Sequence, residues 1–114
     1  MSEQLDFASY PVVGYPVGHV GPNGESIEQA FERFHRENPH VYDELVALTT
    51  QLKRAGARRV GMGMLFEVLR WRTQLRTGGD EFKLNNNFRS YYARLIMWRR
   101  PELEGIFETR RLHA

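Results

Sequence analysis

The 114-residue chain has no cysteine and is 41% hydrophobic. That bounds it to about one domain stabilised by packing, with no disulfide framework and no thiolate zinc site. Its net charge of +2 conceals a split: residues 1–50 carry 2 Lys/Arg against 8 Asp/Glu, net −6, whereas residues 51–114 carry 14 against 6, net +8. Such polarity suits a polyanion or an acidic protein partner.

The start, Met1 to Asp6, has no basic n-region, and no apolar run reaches the length of a signal core or a spanning helix. The expectation is a soluble, cytoplasmic protein without a membrane partner. Residues 1–25 read as an extended arm. Pro11, Pro16 and Pro22 alternate with glycines, and Tyr10-Pro11-Val12-Val13-Gly14 is echoed by Tyr15-Pro16-Val17-Gly18. X-Pro steps favour β or polyproline II backbone. The arm is then either a loosely held tail or a docking segment that offers a homodimer contact.

Residues 26–114 read as a single helical domain. Ser26 with Gln29 forms a capping-box pattern, and Ile27, Ala30, Phe31 and Phe34 recur at helical spacing, so a first helix runs from 26 to about 37. Asn38-Pro39 reads as N-cap and N1 of a second helix that buries Val41, Leu45, Leu48 and Leu52 and stops before Gly56. Residues 57–60 are a connection or a short strand. A third helix follows from Met64 to about Leu75, burying Leu65, Val68, Leu69 and Leu75, and Gly78-Gly79 ends it.

Phe82-Lys83-Leu84 alternates like a three-residue strand, and one of Asn85, Asn86 and Asn87 should cap a fourth helix. Phe88, Tyr91, Tyr92, Leu95 and Ile96 give that helix the clearest apolar stripe in the chain, with Trp98 extending it. Pro101 closes it, a short turn follows to Gly105, and residues 106–110 read as a last strand. The expected fold is mainly α: a compact four-helix, winged-helix-like domain with a two- or three-stranded β element.

Fourteen of the sixteen cations are arginine, the side chain whose planar fork suits phosphate and carboxylate. They concentrate on the fourth helix, where Arg89, Arg94, Arg99 and Arg100 lie off the apolar stripe. Arg58 and Arg59 precede the third helix, and Arg70 and Arg72 lie within it. A helix with an exposed arginine face can contact phosphates or a major groove; the plainer alternative is a solvated charged surface. Asn86 could add an adenine contact through its amide, although capping explains the Asn cluster more economically.

Catalytic signatures are weak. Glu81-Phe82-Lys83 has the E-x-K spacing of some metal-dependent nucleases, but that chemistry usually sits on a larger mixed sheet. His19, His35, His40 and His113 are scattered, with no pair at ligand spacing on a helix, so no metal site is expected. No nucleotide-binding loop is present, and no cofactor is implied.

From about Phe31 to Arg111 the chain resembles a group of small phage and prophage proteins of unsettled function. The resemblance rests on Phe34-His35-x-x-Asn38-Pro39-x-Val41-Tyr42, on Leu65-Phe66-Glu67-Val68-x-Arg70-Trp71, and on Phe82-Lys83-Leu84-Asn85-Asn86-Asn87 leading to Tyr91-Tyr92-Ala93-Arg94. It closes with Pro101-Glu102-Leu103-x-Gly105-x-Phe107-x-Thr109-Arg110. A looser likeness to winged-helix domains comes from the order of elements, although about ten residues separate the third and fourth helices where that fold has a tight turn. The leading expectation is a non-enzymatic, phage-type DNA-binding module contacting DNA through its basic fourth helix. The alternatives are a phage-type protein that binds and redirects an acidic host protein, and a small metal-dependent nuclease.

Overall fold

Ser26 opens the first helix with the reciprocal cap its sequence announces: its hydroxyl accepts from the Gln29 amide at 3.1 Å, and its own N–H donates to the Gln29 side chain at 3.0 Å. The computed structural model describes residues 24–78 and 84–108. Among these residues four helices are formed: α1 (Ile27–Glu37), α2 (Pro39–Arg54), α3 (Met62–Thr77) and α4 (Arg89–Arg99), with short 3-10 turns at Asn86–Phe88 and Pro101–Leu103. Glu25 pairs with Arg33 at 2.6 Å and ties the entry of α1 to its second turn. The expected arm lies almost wholly outside the described residues.

Asn38 behaves differently from its expected role. It occupies the N-cap position of α2 with Pro39 at N1, but its side chain makes no capping bond there. Its amide instead donates to the Phe34 carbonyl at 3.1 Å, beside its backbone N–H at 2.8 Å, so it closes the end of α1. Two consecutive helices with no spacer compete for one side chain, and the orphan carbonyl of the first wins.

α4 is the centre of the molecule. It packs against α3, α2 and both 3-10 turns, and Tyr91, Tyr92, Ala93, Leu95 and Ile96 are all buried. Phe31 of α1 meets this helix edge-on at Tyr92 (4.7 Å between ring centroids) and in a stack at Tyr91 (5.3 Å), with Phe88 closing a third side at 5.7 Å. Leu45 from α2 and Leu65, Phe66 and Leu69 from α3 complete the core. Burying each such side chain stabilises the fold by about 1.5–3 kcal/mol. Thr49, buried among the described residues, is satisfied within its own helix, its hydroxyl donating to the Leu45 carbonyl at 2.7 Å.

No β-strand is formed by the described residues. Val60 and Phe107 make a parallel bridge, with the Val60 N–H donating to the Ile106 carbonyl at 2.9 Å; of the strand expected at 106–110, Thr109 and Arg110 lie outside the described residues. Of the expected strand at 82–84, Phe82 and Lys83 lie outside the described residues and Leu84 is buried coil. α3 also starts two residues earlier and ends two later than its sequence suggests, and Leu75 is exposed where burial was expected.

Candidate nucleic-acid interface

The nine residues singled out from the sequence separate into those held by their own chain and those that face outward. Arg70 is held. It pairs with Glu67, donates to the Leu84 carbonyl at 2.5 Å and to the Asn86 side-chain oxygen at 2.7 Å, and lies 5.9 Å from the Phe66 ring centroid. This guanidinium ties α3 to the segment entering α4. Asn86 is therefore a structural partner: its side chain receives Arg70, and its backbone carbonyl receives Arg89 Nε at 3.1 Å. The helix-opening cap is Asn85, whose side chain accepts from the Asn87 N–H at 2.8 Å.

Arg99 is also committed inward, its guanidinium 5.2 Å from the centre of the Tyr42 ring. It stands near His35, which stacks parallel to Phe31 at 6.0 Å and meets Tyr42 edge-on at 5.6 Å. Burial, and then the Arg99 charge, lower the His35 pKa against a small opposing effect of Asp43. Burial raises the Tyr42 pKa, partly offset by the same guanidinium. Arg100 pairs with Glu102 at 2.8 Å. Arg94 is half-buried on the rim of a groove of about 530 Å³, whose walls include Met97, Trp98 and Phe107.

Arg58, Arg59, Arg72 and Arg89 are exposed. Arg58 and Arg59 lie in the connection ahead of α3, with Arg58 on the wall of a second groove beside Lys53, Glu102 and Glu104. Arg89 at the start of α4 places Nη1 3.2 Å from where a Cβ on Gly63 would stand. Gly63 is the second residue of α3, so the Arg89 guanidinium lies over that helix's first turn. The N-cap is Gly61, which has no side chain to cap with, and the first turn carries no acidic residue. The positive end of α3 thus carries the Arg89 guanidinium, the reverse of the carboxylates that normally stabilise a helix start. A tetrahedral anion would satisfy both the orphan N–H groups and that guanidinium fork.

Sequence spacing alone did not place Arg89 over the start of α3, because the two are far apart in the chain and meet only where α4 begins beside that turn. The one available signal was Gly63, small enough to admit a guanidinium.

For the nuclease alternative, Glu81 and Lys83 lie outside the described residues, and Glu67 is paired with Arg70. Among the described residues, no group of three His, Asp or Glu side chains could hold a metal ion, and no helix is long and apolar enough to cross a membrane. No protein-family model, curated protein or solved structure matches the chain.

Proposed function

We propose that this protein is a non-enzymatic DNA-binding module that grips the phosphate backbone at the start of α3, through Arg58, Arg59 and Arg89. The observation that carries the reading is the Arg89 guanidinium laid across the glycine-opened, acid-free first turn of a helix preceded by two further arginines. Helix dipole, unsatisfied N–H groups and the Arg89 guanidinium fork all favour an anion at that place, and the exposed Arg58 and Arg59 precede it in the chain. Phosphate contacts of this sort position a protein on a duplex and carry little sequence information.

The same geometry argues against α4 as a groove-reading helix of winged-helix type. Five of its eleven residues are buried, and Arg99 and Arg100 are engaged with Tyr42 and Glu102. α4 contributes Arg89 from its first turn and otherwise serves as the core.

The testing experiment compares mixed-sequence duplex binding by the parent, by Arg58→Ala/Arg59→Ala/Arg89→Ala and by Arg100→Ala. The triple variant should lose most binding while keeping its helical signature, and Arg100→Ala should bind as the parent does. Equal loss in both, or no duplex binding by the parent, overturns the reading.

A second reading, an acidic host protein as partner, draws on the groove beside Arg94. Its aromatic walls, Trp98 and Phe107, resemble the anchoring pockets of protein interfaces more than a surface for DNA.

A further inference from the structure

Among the described residues α3 buries one apolar face and leaves most of a second at the surface, with only Val68 of the latter packed against the core. Met62, Leu65, Phe66 and Leu69 enter the core, whereas Met64 (51% exposed), Trp71 (64%) and Leu75 (64%) stay at the surface with half-buried Val68 between them. Positions 64, 68, 71 and 75 follow i, i+4, i+7, i+11, which at 100° per residue keeps them within an arc of about 60°. A tryptophan and a leucine each nearly two-thirds exposed on one continuous stripe are unusual for a finished surface. Arg72 borders the stripe, exposed and without an ion pair among the described residues.

We infer that this stripe is the seat of the chain's own Tyr-Pro-Val segment, residues 10–17. Four observations select this occupant. The segment offers Tyr10, Val12, Val13, Tyr15 and Val17, apolar side chains on a backbone that three prolines within residues 11–22 bias towards an extended form. Residues 1–24 contain Glu3 and Asp6 and no Lys or Arg, which complements the cationic border at Arg72. Reach is sufficient: from Tyr10 to Gly24 an extended chain spans up to about 46 Å, more than the longest extent of the molecule, 37 Å.

The fourth observation is the small size of the stripe. Stable association of two copies usually buries about 800 Å² on each, from some 20–30 residues a side, and four side chains on two heptads fall well short. A second copy would also oppose Arg72 to Arg72. A tethered segment avoids most of the association entropy and needs less area.

The test uses the full chain carrying Trp98→Phe, which leaves Trp71 as the sole tryptophan. Trp71 should then emit as a shielded indole and resist acrylamide quenching, and adding Tyr10→Ser with Tyr15→Ser should abolish that protection. Trp71 quenched like a free indole before the tyrosine changes, or protected equally after them, overturns the inference. So does protection that vanishes on dilution together with a dimer, which would place a second copy on the stripe, or protection that depends on Phe82 and not on the tyrosines. Because the chain has no cysteine, a second measurement is unambiguous: Leu75→Cys paired in turn with a cysteine at 10, 12, 13 or 15 should give a disulfide within the monomer. Failure of all four pairs, or linkage only between chains, contradicts the proposal.

Discussion

Arg89 and Gly63 are in contact across the α3–α4 crossing: a methyl group on Gly63 would meet Arg89 Nη1 at 3.2 Å. The neighbour that would have to yield is the far end of a flexible side chain. Gly63→Ala should therefore keep the fold and raise stability by up to about 1 kcal/mol, from the lower backbone entropy of alanine in a helix. It should also displace the guanidinium from the first turn of α3 and weaken duplex binding. Thermal unfolding together with a binding titration checks both halves; a gain in stability with unchanged DNA affinity would separate Arg89 from the interface.

The three consecutive asparagines should respond differently to alanine. Asn85→Ala removes the cap on the Asn87 N–H and should cost about 1 kcal/mol. Asn86→Ala loses the exposed bond to Arg70, a solvent-screened contact expected to cost below about 1 kcal/mol. Asn87→Ala keeps its capped backbone N–H and should be close to neutral. Chemical denaturation of the three variants gives the ranking, and a largest loss at Asn87 would contradict it.

Most of the core of α4 was legible from its stripe: Phe88, Tyr91, Tyr92, Leu95 and Ile96 were expected inside and are buried, whereas Trp98, expected to extend that stripe, is 45% exposed. α3 was legible only in part. Its two apolar faces overlap in sequence, so a single helical period could not separate core Leu69 from exposed Leu75. The Asn85–Asn87 cap was foreseen as a class, but which residue caps depends on the 3-10 turn at Asn86–Phe88. The fate of the arginines was the least legible part. Arg70 and Arg99 look like surface cations in the sequence, yet their partners Leu84, Asn86 and Tyr42 come from other segments of the fold.

Tyr92 has no exposed surface, and its hydroxyl finds no hydrogen-bond partner among the described residues. Burial accordingly pushes its pKa well up. A buried, unsatisfied hydroxyl carries a desolvation cost that phenylalanine avoids. Tyr92→Phe should stabilise the protein by about 1 kcal/mol. A destabilised variant in urea titration would mean that the hydroxyl is bonded in solution.

His35 makes stability pH-dependent in a window of its own. Burial and Arg99 lower its folded-state pKa below the ordinary value of 6.5. The neutral imidazole is thus favoured in the folded state, and its contribution is complete above pH 6.5. That contribution is lost as pH falls through the folded pKa. Glu25, lowered mainly by its bond to Arg33, acts below its ordinary 4.5, in a more acid range. His35→Phe, which can keep the stack on Phe31, should flatten the stability profile between about pH 7 and 5. An unchanged slope would assign the titration to another group.

The salt dependence of duplex binding tests the central claim most directly. If Arg58, Arg59 and Arg89 each hold a phosphate, log K should fall linearly with log salt, by about 0.9 for each contact. The triple alanine variant should then flatten the slope by about three units relative to the parent, and Arg100→Ala should leave it unchanged. A slope that Arg58, Arg59 and Arg89 do not influence, or no duplex binding even at about 50 mM salt, where such contacts are strongest, would contradict the assignment of these arginines to DNA.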